Sequence, residues 1–214
     1  MRTTAQLVWT DHRVAAPLIA VASLVLGTVL LALAVRSEPG DPIFFLWTLA
    51  VAVVWVGGAV LIGAPVPAGR GRPVPAFLLG LALVGLFLVG AVLVARIPVM
   101  AGPVERLLDH TTSGPLLVVW LVTAVTGACE EVFFRGALHT IVPTRYAVPV
   151  TAAAYTLTTL GAGVVLLALA AAVLGVVTGL QRRSTGGVLE PVVTHLTWST
   201  GILFLLPPVL EALR

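Results

Sequence analysis

The chain has 214 residues, 59% of them hydrophobic and only 10% charged, with a mean hydropathy of +1.10. That balance excludes a soluble globular domain and a disordered chain. The formal charge of +3 is small, and arginines spread over many loops exclude the clustered basic face of a nucleic-acid binder.

The expected class is all-α, a polytopic bundle of about seven transmembrane helices. No stretch alternates with period two over the length a barrel strand needs. A spanning helix needs about 20 apolar residues. The chain supplies candidates at roughly 14–35, 43–63, 74–95, 115–137, 147–160, 163–180 and 188–206. The first of these, from Val14 to Val35, exceeds the roughly 7–15 apolar residues of a signal-peptide core. It is expected to be a retained helix, although Ala32-Leu33-Ala34 resembles a cleavage site. Breaks fall where Pro, Gly and charge gather, at Arg36–Pro42, Pro65–Pro73 and Arg96–Gly114. The fifth and sixth segments are short and parted only by Gly161-Ala162-Gly163, which suggests a tight hairpin or a re-entrant pair. Three regions are expected: N-terminal helices and loops over 1–114, a core with the polar site over 115–206, and a short tail over 207–214.

Arginine bias sets the expected orientation. With the N-terminus inside, Arg2, Arg13, Arg70, Arg72, Arg145, Arg182 and Arg183 are cytoplasmic, and Arg36, Arg96, Arg106 and Arg214 are outside. The excess favours an integral protein of the cytoplasmic membrane, N-terminus inside and C-terminus outside. No internal repeat is visible, which argues against an inverted-repeat transporter. Ala171, Gly175 and Gly179 recur every four residues and offer a seam for close helix packing within the monomer.

The chemistry concentrates in Glu130-Glu131-Val132-Phe133-Phe134-Arg135-Gly136. Each charge at the centre of a membrane helix costs roughly 2.5–3.5 kcal/mol on an insertion scale. Such a cluster is a functional-site hypothesis in its own right. Adjacent helical residues point about 100° apart, so Glu130 and Glu131 cannot both face one cavity squarely. Glu131 and Arg135 stand at i and i+4 in the favourable order and should neutralise each other. Glu130 is left as the unpaired carboxylate, suited to act as a general base. His12 and His110 fall in expected loops, and His139 lies past the end of the fourth segment. His195 is the histidine well inside a segment, at the same depth as Glu130, about 10 Å from the cytoplasmic end at 1.5 Å per residue. Ser199 shares its helix face. Cys129 is expected to be a packed small residue. The structural alternative is a buried polar network of Glu130, Glu131, Arg135 and His195 that only pins helices together.

Glu-Glu-x-x-x-Arg, followed here by Gly136, resembles the first motif of the CPBP family of CAAX-protease and bacteriocin-processing enzymes, the abortive-infection-type intramembrane proteases. The family core of about four helices corresponds to residues 115–206. Its second motif, Phe-x-x-x-His, has its best match in Tyr155-Thr156-Leu157-Thr158-Thr159, with Tyr155 for Phe and Thr159 for His. Its third motif, His-x-x-x-Asn, corresponds to His195-Leu196-Thr197-Trp198-Ser199, with Ser199 for Asn. The resemblance implies Glu130 as general base, Glu131 and Arg135 as a structural pair, and His195, with Ser199, as oxyanion donors. The family also raises zinc as a cofactor. Thr159 hydrogen-bonds but does not exchange a proton near pH 7, and it is a poor zinc ligand, so the ligand set looks incomplete.

The expected function is an intramembrane endopeptidase acting on a membrane-embedded peptide or protein substrate near the cytoplasmic face. Thr159 implies slow turnover. The alternative is an impaired family member that serves as a membrane binding or scaffold protein. The lipid bilayer is an expected partner and nucleic acid is not.

Overall fold

The computed structural model of the protein describes residues 4–96, 109 and 112–212, and of residues 4–14 it describes the backbone alone. His110, Arg2, Arg106 and Arg214 therefore lie outside the described residues, as do the side chains of His12 and Arg13.

Among the described residues the regular structure is all helical, without strands. The helices are α1 (Thr4–Arg36), α2 (Pro42–Ile62), α3 (Pro73–Ala95), α4 (Leu116–Glu131), α5 (Thr144–Gly161), α6 (Val165–Thr185) and α7 (Leu189–Glu211). The path of α4 continues as a π-helix over Val132–Leu138 and a last turn over His139–Ile141. Their ends follow local chemistry. Proline opens α2 and α3, where its missing N–H costs nothing. Asp41 caps α2 by accepting from the Ile43 amide at 2.8 Å. Gly63 closes α2 in the left-handed region at φ 67°.

Six helices are long and apolar enough to cross a membrane, which makes this an integral membrane protein. They are Ala15–Arg36 of α1, then α2, α3, Leu116–Ile141 of the α4 path, α6 and α7. The exception is α5, an 18-residue helix with five threonines. Those hydroxyls do not break it. Thr151, Thr156 and Thr159 donate to the carbonyls four residues back, at 2.8–2.9 Å, so each is satisfied within the helix.

Expected and observed boundaries differ mainly at C-terminal ends. The fourth segment runs to Ile141 rather than 137, the sixth to Thr185 rather than 180, and the seventh to Glu211 rather than 206. Hydropathy falls where polar residues begin, but backbone hydrogen bonding continues past that point. In α7 the helix even carries Pro207 and Pro208 within its final turns. The fifth and sixth segments form a hairpin, with Gly163 at φ 94° in its turn.

The bundle pairs α1 with α2, α3 with α7, and α5 with α6, and α4 packs against both α2 and α7. The seam on α6 faces α5 inside the molecule. A side chain on Gly175 would meet Ala152, and one on Gly179 would meet Val148. The centre is aromatic. Trp55 stacks at 4.9 Å on Phe133 and 5.1 Å on Phe134, and Phe134 lies 4.9 Å from Tyr155.

At the end of the bundle carrying Arg182, the α2–α3 linker is bonded to the α6–α7 turn. The Arg70 amide donates to Thr185 O, and the Val188 and Leu189 amides donate to Pro67 O and Ala68 O, at 3.0–3.1 Å. This contact requires Gly187, because any side chain there would overlap the Ala68 backbone. Val66 of the same linker fills the space in front of Gly136. The linker thus closes this end directly below the π-helix.

Candidate active site

The α4 path changes pitch at Glu131, and six consecutive residues of the π-helix, Phe133 to Leu138, are buried. An α-helical segment this apolar would still turn one face to lipid, whereas this one is enclosed on all sides by α2, α5 and α6 and the linker. The π-helix is tied to α6 at its middle, where Arg182 Nε donates to Arg135 O at 2.7 Å.

Glu131 and Arg135 form the expected pair. Arg135 Nη1 donates to Glu131 Oε1 at 3.1 Å, and both side chains are fully buried. The Arg135 guanidinium also sits 4.9 Å from the Tyr155 ring and 5.8 Å from the Phe134 ring. Those π-faces favour a cation in this dry setting.

His195 comes from α7 and reaches the same carboxylate. Its Nδ1 lies 2.8 Å from Glu131 Oε1. Against a carboxylate already paired with Arg135, that contact assigns the proton to Nδ1. The opposite nitrogen, Nε2, then points toward Glu130, 3.9 Å from its Oε2. Gly127 makes room for the ring, since a Cβ there would lie 3.3 Å from Nε2. Glu130 accepts a hydrogen bond of 2.7 Å from the Tyr155 hydroxyl. The five side chains form one chain of contacts, Arg135–Glu131–His195–Glu130–Tyr155.

Glu130 and His195 do meet across the bundle, as equal depth suggested, although Glu130 stands eleven residues before the end of its helical path at Ile141 rather than seven before 137. The two glutamates divide as helical geometry requires. Glu130 lines a cavity and Glu131 lies behind it. Glu130 is not unpaired, however, because Tyr155 holds it. Sequence reasoning missed the roles of Tyr155 and Gly127. The signal for Tyr155 was its place in the second motif, where a hydroxyl replaces a hydrogen.

The cavity has a volume of about 1160 Å³. Glu130, Tyr155, Thr159, His195, Trp198 and Ser199 form its inner end. Apolar residues of α1, α6 and α7 form its walls, and it reaches exposed Arg36, Glu38 and Asp109 at the other end. It opens away from Arg182, at the end opposite the α2–α3 linker. Thr159 and Ser199 both line it, but their hydroxyls bond within their own helices, to Tyr155 O at 2.9 Å and Leu196 O at 3.3 Å. His139 lies within the last turn of the α4 path rather than past its end, because that path continues to Ile141, and it is buried there without lining the cavity.

Glu130 Oε2 and His195 Nε2 are two metal-capable donors facing one space. A catalytic zinc takes three protein ligands. Where a third would stand, Thr159 offers a hydroxyl already donated to backbone. Among the described residues no group of three or more His, Cys, Asp or Glu is arranged to hold a metal. The donor set does not fit a catalytic zinc.

No curated protein and no solved structure matches this chain. Residues 112–201 match the family model of type II CAAX prenyl endopeptidases, Rce1-like. That stretch holds Glu130, Glu131, Arg135, Tyr155, Thr159, His195 and Ser199. The segment that carries every residue of the site is thus similar to the Rce1-like endopeptidases, as its motifs are to the CPBP type.

Proposed function

We propose that the protein is an intramembrane endopeptidase that activates water with Glu130. The single observation carrying this reading is the placement of a cavity-facing carboxylate, Glu130, beside a histidine whose other nitrogen is anchored on a second, buried carboxylate. Such an anchored imidazole keeps one orientation, as reacting-group geometry demands.

The four ionisable partners suggest how charge is handled. When His195 takes a second proton, on Nε2 as well as Nδ1, two carboxylates balance one guanidinium and one imidazolium. A net-neutral group is the least costly arrangement at membrane depth. Glu130 takes a proton from water as the hydroxyl oxygen bonds to the peptide carbonyl carbon. The carbonyl oxygen becomes an oxyanion, which His195 Nε2–H stabilises, and Ser199 stands one turn along the same cavity wall. Glu130 then passes its proton to the leaving amine as the C–N bond breaks and the carbonyl re-forms. The cluster ends as it began. Removal of one oxyanion donor in other enzymes costs about 10²–10³ in rate, and a cavity without the motif-two histidine implies slow turnover.

A second reading is an Rce1-like domain that binds a membrane partner without cutting it. Thr159, in place of a histidine and bonded to backbone, favours it. Glu130→Gln separates the two, because glutamine keeps an acceptor for Tyr155 but cannot take the proton. The test is quantitative profiling of N-terminal peptides from membranes of cells carrying wild type or Glu130→Gln at equal abundance. Peptide ends that disappear with Glu130→Gln are expected. Identical profiles would reject proteolysis in favour of the binding reading.

A further inference from the structure

We infer that Tyr155 is a positioning residue that holds Glu130 toward the cavity, one turn from Thr159, which stands in place of the second-motif histidine. The inference rests on the proposed endopeptidase reading for its catalytic meaning, and on geometry for the contact itself.

Tyr155 and Thr159 are one turn apart on α5 and line the same inner end of the cavity. The Thr159 hydroxyl donates to Tyr155 O and so turns back along its own helix. The Tyr155 hydroxyl points the other way, across the bundle, and donates to Glu130 Oε2 at 2.7 Å. A phenol one turn earlier reaches the carboxylate that threonine is too short to touch. Its ring is fixed on three sides, by Phe134 at 4.9 Å, by the Arg135 guanidinium at 4.9 Å and by His195 at 6.5 Å. The hydroxyl therefore has one direction to offer. A hydrogen bond to a charged acceptor is among the stronger contacts available, and more so in a water-poor site. Glu130 shows 15% side-chain exposure and would otherwise choose among rotamers along an open wall.

The substitution that isolates this contact is Tyr155→Phe. It removes one oxygen, leaves the ring in its packing, and writes the residue the family carries at that position. The double variant Tyr155→Phe with Thr159→His restores both family residues. Two readouts are needed. The first is turnover of a peptide bearing a cleavage sequence that depends on Glu130. Tyr155→Phe should lower kcat about tenfold or more with KM within about twofold, and the double variant should recover most of that loss. The second does not use activity. Dicyclohexylcarbodiimide modifies buried carboxyl groups, and its incorporation at Glu130 is read by mass spectrometry with Glu130→Gln as the blank. Without the phenol the carboxyl is freer to react, so Tyr155→Phe should label at least threefold faster, and the double variant should label close to the wild-type rate.

Unchanged labelling in Tyr155→Phe would overturn the inference, as would unchanged kcat in a protein whose Glu130-dependent cleavage is intact. Altered labelling in a protein without Glu130-dependent cleavage would keep the contact and reject the endopeptidase reading. Loss of kcat that the double variant does not recover, with labelling unchanged, would assign Tyr155 to packing alone and overturn the positioning role.

Discussion

Glu131 is the residue on which the site's internal order depends. Its Oε1 accepts from Arg135 Nη1 at 3.1 Å and from His195 Nδ1 at 2.8 Å, while no solvent reaches it. Glu131→Ala would strand a fully buried guanidinium and release the imidazole together. Loss of one partner from a buried pair costs about 3–5 kcal/mol. Unfolding in mixed detergent micelles should show a loss of that order, and a wild-type midpoint would reject the dual-anchor reading. The Glu131–Arg135 pair was legible in sequence because i,i+4 spacing fixes it within one helix. The His195 anchor was not, since it depends on how α7 rotates against α4. Gly127 was silent for the same reason: nothing in its neighbours says that a ring from α7 occupies the space in front of it.

At the scale of elements, the π-helix over Val132–Leu138 is what lets one segment serve two purposes. Upstream, α-helical geometry sets Glu130 at the cavity and Glu131 behind it. Downstream, the wider turn packs Phe133 and Phe134 on Trp55 and brings Gly136 onto Val66. Periodicity in the sequence cannot reveal a pitch change, because an enclosed segment is apolar in every direction. The seven helices were readable from apolar length and breaks, and their ends were not, because polar last turns look like loops. Arg182 looked like a loop residue of the basic count, yet it lies in the last turn of α6 and serves the π-helix through the Arg135 carbonyl. In Arg182→Met that carbonyl loses this charge-assisted hydrogen bond, with an expected cost of about 1.5–3 kcal/mol. Hydrogen exchange over 132–140 should quicken while 116–127 stays protected. Equal exchange in both proteins would show that the π-helix stands without this arginine.

Over the whole molecule the two ends differ in construction, and from the difference we propose a route to the site. At the Arg182 end, backbone hydrogen bonds join the α2–α3 linker to the α6–α7 turn, and no residue of either lines the cavity. At the Arg36 end, the cavity extends from Glu130 to exposed charged residues. Depth in the bundle had suggested cleavage near the face carrying Arg182, but depth and access are separate properties. A site close to one end is served from the other when the nearer end is closed. Impermeant thiol reagents on proteoliposomes test this in a Cys129→Ala background, with Ser199→Cys inside the cavity, Ser37→Cys at the Arg36 end and Ser184→Cys at the Arg182 end. Ser199→Cys is expected to react from the same side as Ser37→Cys and to be inert from the side that labels Ser184→Cys. We propose from the arginine excess that the Ser184 side is cytoplasmic, and on that reading the same reagents applied to intact cells should label Ser37→Cys and spare Ser184→Cys. Labelling of Ser199→Cys from the Ser184 side would mean that the linker opens, and that the closed end is the entrance.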